Sequence, residues 1–250
     1  MLTLYHAEPL ANSMRVILCL KEKGLAFESR YVNLLKFEQH EPAFLAINPD
    51  GQVPVLDHDG AVITQCTVID EYLEDVFPEV ALRPADPLAR ARMREWTKFV
   101  DDRFCPALSL WGWQFLVRRV AQAVPKDEFE RLLERVPLKA QRDKWAAAAV
   151  GYPEDELADA KATLQVSVAR MEARLGDAPW LAGEGYSLAD VHTYSMAAGT
   201  ARLFPELMNE TTAPRAMEWL ARMDARPAVQ EARAMPNETP ETLRALGVEL

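Results

Sequence analysis

Residues 2–6 alternate apolar and polar side chains, the period of a half-buried strand. Over 12–23 the period lengthens to that of a helix. Met14, Ile17, Leu18 and Lys21 fall on one face, and Gly24 supplies a stop. A strand pattern returns over 27–34. Residues 41–47 then predict a short helix, and Asn48-Pro49-Asp50-Gly51 predicts a turn. Two short strands follow at 53–56 and 61–64, joined as a hairpin across Asp57-His58-Asp59-Gly60. Helical periodicity resumes over 67–76.

The order β-α-β-α-β-β-α within the first 80 residues is a mixed α/β unit, assigned here to 1–78. The texture changes in the proline-bearing stretch 79–86, which predicts a linker. Asp86 N-caps a long helix with Pro87 in its first turn. From there the pattern is helical with almost no strand signal. Helices are expected at 87–117, 126–135, 138–149, 154–175, 188–203, 214–225 and 227–234. The expectation is thus α/β plus all-α, with 87–250 as the helical unit and a loosely docked tail from Pro236.

The chain has 250 residues, enough for two ordinary cores, and its 49% hydrophobic and 26% charged content is that of a folded protein. A net charge of −10 repels phosphate backbones and anionic lipid, so neither nucleic acid nor membrane is an expected partner. No apolar run is long enough for a membrane helix, and the first residues lack a basic, then apolar, export signal. Cys19, Cys66 and Cys105 form no C-x-x-C pair, which fits a reducing, cytoplasmic setting rather than a disulfide framework. His6, His40, His58 and His192 are scattered, so no metal site is expected. Nucleotide-binding, zinc-protease and serine-hydrolase motifs are absent.

Two segments narrow the choice. Ile47-Asn-Pro-Asp-Gly-Gln-Val-Pro-Val-Leu56 resembles the I-N-P-x-G-x-V-P-x-L stretch of glutathione S-transferases, and Gly185-Tyr-Ser-Leu-Ala-Asp190 resembles their buried helix cap. Ser187 would be the N-cap and Asp190 the residue reaching back. Lys36–His40, Tyr72–Pro78, Leu82–Pro87, Trp96–Lys98 with Phe104-Cys105, and Val166–Arg170 look like bacterial glutathione-dependent β-etherases, which cleave lignin-derived aryl ethers. The resemblance implies a thioredoxin-like N-terminal domain, a helical-bundle C-terminal domain, glutathione as co-substrate, an aromatic second substrate and a homodimer. It also implies a cis Val53–Pro54 bond whose neighbouring backbone binds the peptide ligand as a strand would.

The implied chemistry begins with ionising a thiol whose free pKa is about 8.5. A hydrogen bond to the charged sulfur contributes about 1.5–3 kcal/mol, or roughly 1–2 pKa units. By the resemblance, Ser13 is the expected donor and Asn12 a second one, with Tyr5 as the runner-up hydroxyl. By pattern alone, Asn12 and Ser13 would instead cap the first helix. Gln39 and His40 are expected at the glycine carboxylate, and Gln52, Val53 and Pro54 at the peptide backbone. Relatives carry Glu-Ser at the start of the third helix, where this chain has Gln65-Cys66. The amide forgoes a charge-assisted bond to the γ-glutamyl ammonium. Cys66, at a helix start, is a site-lining residue with a minor expectation of reactivity.

Trp111, Trp113, Phe115 and Tyr152 are expected to wall the second-substrate pocket, although 111 and 115 share a helix face and 113 points elsewhere. Arg90, Arg92 and Arg94 predict a solvated face or part of a dimer contact. The resulting expectation is glutathione-dependent cleavage of a β-aryl ether. General conjugation or peroxide reduction, and a non-catalytic ligand carrier on the same fold, are the alternatives.

Overall fold

The computed structural model describes residues 1–248. Strand β1 (Leu2–His6) leads through a loop to helix α1 (Ala11–Glu22), and β2 (Phe27–Tyr31) pairs parallel to β1. β2 stops short of the expected residue 34 because Asn33 turns the chain. Its side chain accepts from the Leu35 and Lys36 amides and starts a 3₁₀ turn. After the short α2 (Pro42–Leu45) come β3 (Val55–His58) and β4 (Ala61–Thr64), completing a sheet of order β2-β1-β3-β4.

Pro54 has no N–H to give a ladder, and pairing of β3 begins at Val55, two residues later than the sequence pattern suggests. The hairpin is correspondingly tight. Asp59 and Gly60, at φ 52° and 90°, form its two-residue turn, while Asp57 is the last-but-one residue of β3 and accepts from Gly60 N–H at 2.7 Å.

α3 (Cys66–Val76) closes the first half. From Pro87 the chain is helical to Ala123, longer than expected, as α4 (Pro87–Phe99), α5 (Cys105–Gly112) and α6 (Arg118–Ala123) linked by wide turns at Val100–Phe104 and Trp113–Val117. The first wide turn precedes Pro106, whose missing N–H interrupts the helical ladder. Then follow α7 (Lys126–Glu134), α8 (Lys139–Val150), α9 (Glu154–Asp177), α10 (Leu188–Leu203), α11 (Pro214–Asp224), α12 (Pro227–Arg233) and α13 (Thr239–Ala245). Ser187 and Asp190 form the capping box at the start of α10.

α1 is not the one-sided helix its pattern suggests. Ser13 to Leu20 are all buried, because α3, α10 and α12 pack against the helix and Leu4 and Leu56 of the sheet share its core cluster. The core is therefore continuous across the two halves, with Leu4, Ile17 and Leu73 in the same cluster as Val191 and Trp219. The intervening segment is tied down from both sides. Lys23 and Glu74 form a buried ion pair at 2.6 Å, Lys23 also donates to Val80 C=O, and Glu74 accepts from Leu82 N–H.

The tail is docked rather than loose. α13 buries Leu243 and Thr242, and Asn33 Nδ2 donates to Thr242 Oγ1 at 2.8 Å and to Glu238 at 3.2 Å. The apolar pattern missed it because one leucine and a hydrogen-bonding face, rather than a stripe, hold this short helix.

Candidate active site

The N-terminus of α1, the turn before β3 and the start of α3 surround a cleft lined by Asn12, Asn48, Asp50, Gln52, Val53, Pro54, Thr64, Gln65 and Cys66. Asn48 shapes the turn. Its Nδ2 donates to Gln52 C=O at 2.8 Å and its Oδ1 accepts from Asp50 N–H. Gly51 follows at φ 61°, where a Cβ would fall 2.7 Å from His40 Cδ2, so this position needs glycine. The Val53–Pro54 bond is cis, and among the described residues neither Val53 N–H nor its C=O has a protein partner. Those two groups present a free strand edge to an extended peptide.

Gln65 is an exposed residue at φ 71°, an unusual angle for a side chain with a Cβ, and it serves as N-cap of α3 through its backbone while its amide carries no capping bond. The N-terminal end of α3 thus faces the cleft with its positive dipole, suited to a carboxylate.

Asn12 and Ser13 divide differently than expected. Neither caps α1; Leu10 holds the N-cap position, with no side-chain bond. Ser13 is only 4% exposed, outside the cleft lining, and its Oγ accepts the buried Ala7 N–H at 3.0 Å. Asn12 reaches the cleft. Its Oδ1 accepts from Arg15 Nη1 at 3.2 Å and from Cys105 Sγ at 3.3 Å, which turns Nδ2 away from them with no protein acceptor among the described residues. Tyr5 packs edge-on against Phe44, 6.0 Å between centroids, as a strand aromatic.

Arg15 is itself fully engaged. It pairs with Asp101 at 2.5 Å, donates to Thr67 Oγ1, and gives hydrogen bonds to His192 Nδ1. With Nδ1 accepting, the His192 proton sits on Nε2 and is donated to Asp70 at 2.7 Å. Burial, and then the Arg15 charge, hold His192 well below its usual pKa, and burial pushes Asp70 up. The guanidinium therefore has one charged partner, Asp101, and locks α1 to α10.

Cys66 lines the cleft, while His40 and Gln39 depart from expectation. Cys66 is buried and pushed up to about 12 by burial, and its thiol donates to Asn12 C=O, so it is no thiolate nucleophile. His40 is buried rather than exposed. Burial and the nearby Arg135 push it down to about 4, so at neutral pH it offers no cation to a carboxylate. Gln39 is buried beside it, with Nε2 on Leu34 C=O at 3.4 Å. Asn48, Asp50 and Thr64 also line the cleft; the turn signal over Asn48-Pro49-Asp50-Gly51 points to the first two, and no sequence signal points to Thr64.

The aromatic set also splits. Trp111 and Phe115 do share a face, 5.3 Å apart, but Trp111 packs into the main core against Phe204. Trp113 lies on the other side in a second cluster, 4.8 Å from Trp145. Tyr152 joins that side, its hydroxyl donating to Lys144 C=O and its N–H to Gln114.

Residues 1–75 match the family model of the glutathione S-transferase N-terminal domain, and residues 105–227 that of the C-terminal domain. The chain is 46% identical over 236 residues to Protein LigF of Sphingobium sp. strain SYK-6, covering 92% of each. It superposes on the crystal structure of beta-etherase LigF from that strain with a TM-score of 0.90, over 92% of this chain and 98% of that one. To glutathione S-transferase F13 of Arabidopsis thaliana it is 31% identical over 192 residues, 76% of this chain and 75% of the relative. With the sheet order, the cis Val53–Pro54 segment and the Ser187–Asp190 box in place, the chain belongs to the glutathione S-transferase family.

Proposed function

We propose that the protein cleaves β-aryl ethers with glutathione, in the cytoplasm and on lignin-derived substrates. The glutathione thiolate attacks the ether-bearing carbon, the new carbon–sulfur bond replaces the carbon–oxygen bond, and a phenol leaves. The observation that carries this reading is the Asn12 amide. Its oxygen is occupied by Arg15 and Cys105, its nitrogen has no protein acceptor among the described residues, and it lines a cleft that also offers the unpartnered Val53 backbone. A peptide thiol laid along Val53 receives that N–H at its sulfur. The likeness to beta-etherase LigF supports the ether as the second substrate.

In this reading residues 1–78 hold glutathione, 79–86 link, and 87–250 hold the hydrophobic aromatic substrate. Gln52, Val53, Pro54 and Gln65 carry the tripeptide, with Cys66 lining the site. A homodimer is the working form, supported by the exposed apolar side chains Val62, Val68 and Leu88 on β4, α3 and α4. Light scattering is expected to return twice the chain mass.

The experiment is retention on immobilised glutathione followed by phenol release from a β-aryl ether. Retention and release together are expected. Retention with conjugation of simple electrophiles but no phenol would favour a general transferase, and no retention would favour a ligand carrier.

A further inference from the structure

Cys105, Ser109 and Trp113 succeed one another at four-residue spacing and share one face of the helix that begins at α5. Cys105 touches Asn12, a residue of the cleft lining, through the 3.3 Å bond to its Oδ1, so this face starts behind Asn12. One turn further along, Ser109 Oγ accepts from Lys144 Nζ of α8 at 3.0 Å, and the ammonium lies 4.5 Å from the centre of the Trp113 ring. Lys144 is half-buried, and among the described residues no carboxylate pairs with it. Its helix neighbours Lys139 and Asp143 pair with each other instead, exposed to water.

A cation taken out of water without a counter-charge is costly, and a ring face and one hydroxyl replace only part of its hydration. Burial accordingly lowers its pKa, against a smaller upward pull from the Cys105 thiol, itself pushed up by burial. The site is built for an anion that arrives with the reaction.

We propose that Lys144 is the general acid that protonates the departing phenolate. This rests on the aryl-ether reading. In the attack geometry the carbon stands about 3–3.5 Å from the sulfur, and the ether oxygen is one bond beyond. One helical turn, about 5.4 Å, separates Cys105, beside Asn12, from Ser109, which holds the Lys144 ammonium. As the carbon–sulfur bond forms and the carbon–oxygen bond breaks, the electron pair goes to the aryl oxygen. The Nζ proton moves to that oxygen, leaving a neutral amine and a phenol; the amine then takes a proton from water. A phenol near pKa 10 is matched by a lysine at or below its ordinary 10.4, the condition for efficient transfer.

The test compares wild type with K144M and K144Q on aryl ethers whose phenols span a range of acidity, from methoxyphenol to nitrophenol. Glutathione binding, measured on each variant by calorimetry, should be unchanged. Phenol release is expected to fall about 100-fold or more for methoxyphenol, and only a few-fold for nitrophenol, which needs no proton to leave. Losses equal across the series, or no loss, in an enzyme that cleaves ethers would overturn the role of Lys144 alone. Wild type that releases no phenol from any member would sink the ether reading and this proposal with it.

Discussion

Asn12 enters the cleft with one end of its amide already engaged. Arg15 and Cys105 hold the oxygen, and rotation about the side chain would cost both bonds. Ser13, one residue on, spends its hydroxyl on Ala7 N–H beneath the cleft. Asn12→Ala should therefore raise the pKa of bound glutathione by about 1–2 units, the worth of one bond to a charge, seen as thiolate absorbance against pH. Ser13→Ala should leave that titration in place and lower stability by about 1–3 kcal/mol, since a buried N–H loses its acceptor. A titration that moves with Ser13 and not with Asn12 would return the role to the hydroxyl. The sequence narrowed the donor to this pair but could not choose between them. The choice depends on Ala11 at φ 42°, whose carbonyl accepts from Ser195 Oγ on α10, 184 residues away in the chain. By contrast, Val53-Pro54 and the Ser187–Asp190 box were legible because neighbours in the chain determine them.

Helices with an apolar stripe or a strong cap were also readable, and α10 runs over the residues its pattern predicts, Leu188–Leu203. α13 was not, because its hold is tertiary: Leu243 in a pocket, Thr242 and Glu238 on Asn33, and Lys36 near Glu238 at 3.4 Å. The same Asn33 starts the turn that leads to Gln39, His40 and the cleft-forming loop. Removing residues 236–250 should cost about 1.5–3 kcal/mol for the Leu243 side chain alone. It should also speed amide exchange across 31–40. Urea unfolding and hydrogen exchange on the truncated chain read the two effects. A truncated protein with native stability and native protection would mean that α13 rests on the surface without holding the loop.

Acid should find the molecule at its buried imidazoles. His6, His40 and His192 all sit in the interior with lowered pKa values, each chiefly through burial. His40, pushed down from 6.5 to about 4, gives the cleanest case. The charged group facing it is Arg135, which pairs with Glu41 at 2.6 Å. Above pH 6.5 both folded and unfolded chains hold this ring neutral, and its burial costs nothing extra. As pH falls below 6.5 the unfolded chain takes up a proton that the folded chain refuses until about 4, so stability falls across that window. Asp190 works in the opposite sense. Burial pushes its carboxyl up to about 6, so its contribution is full below the ordinary 3.8 and is lost as pH rises through about 6. The overall curve mixes these trends, and a difference between variants separates them. Between pH 7 and pH 4.5 the wild type should lose roughly 2 kcal/mol more than His40→Gln, which keeps the volume but cannot take the proton. Urea unfolding of both proteins at the two pH values measures it. Equal losses would mean that His40 accepts a proton in the native protein, and with it regains the capacity to meet a carboxylate at the edge of the cleft.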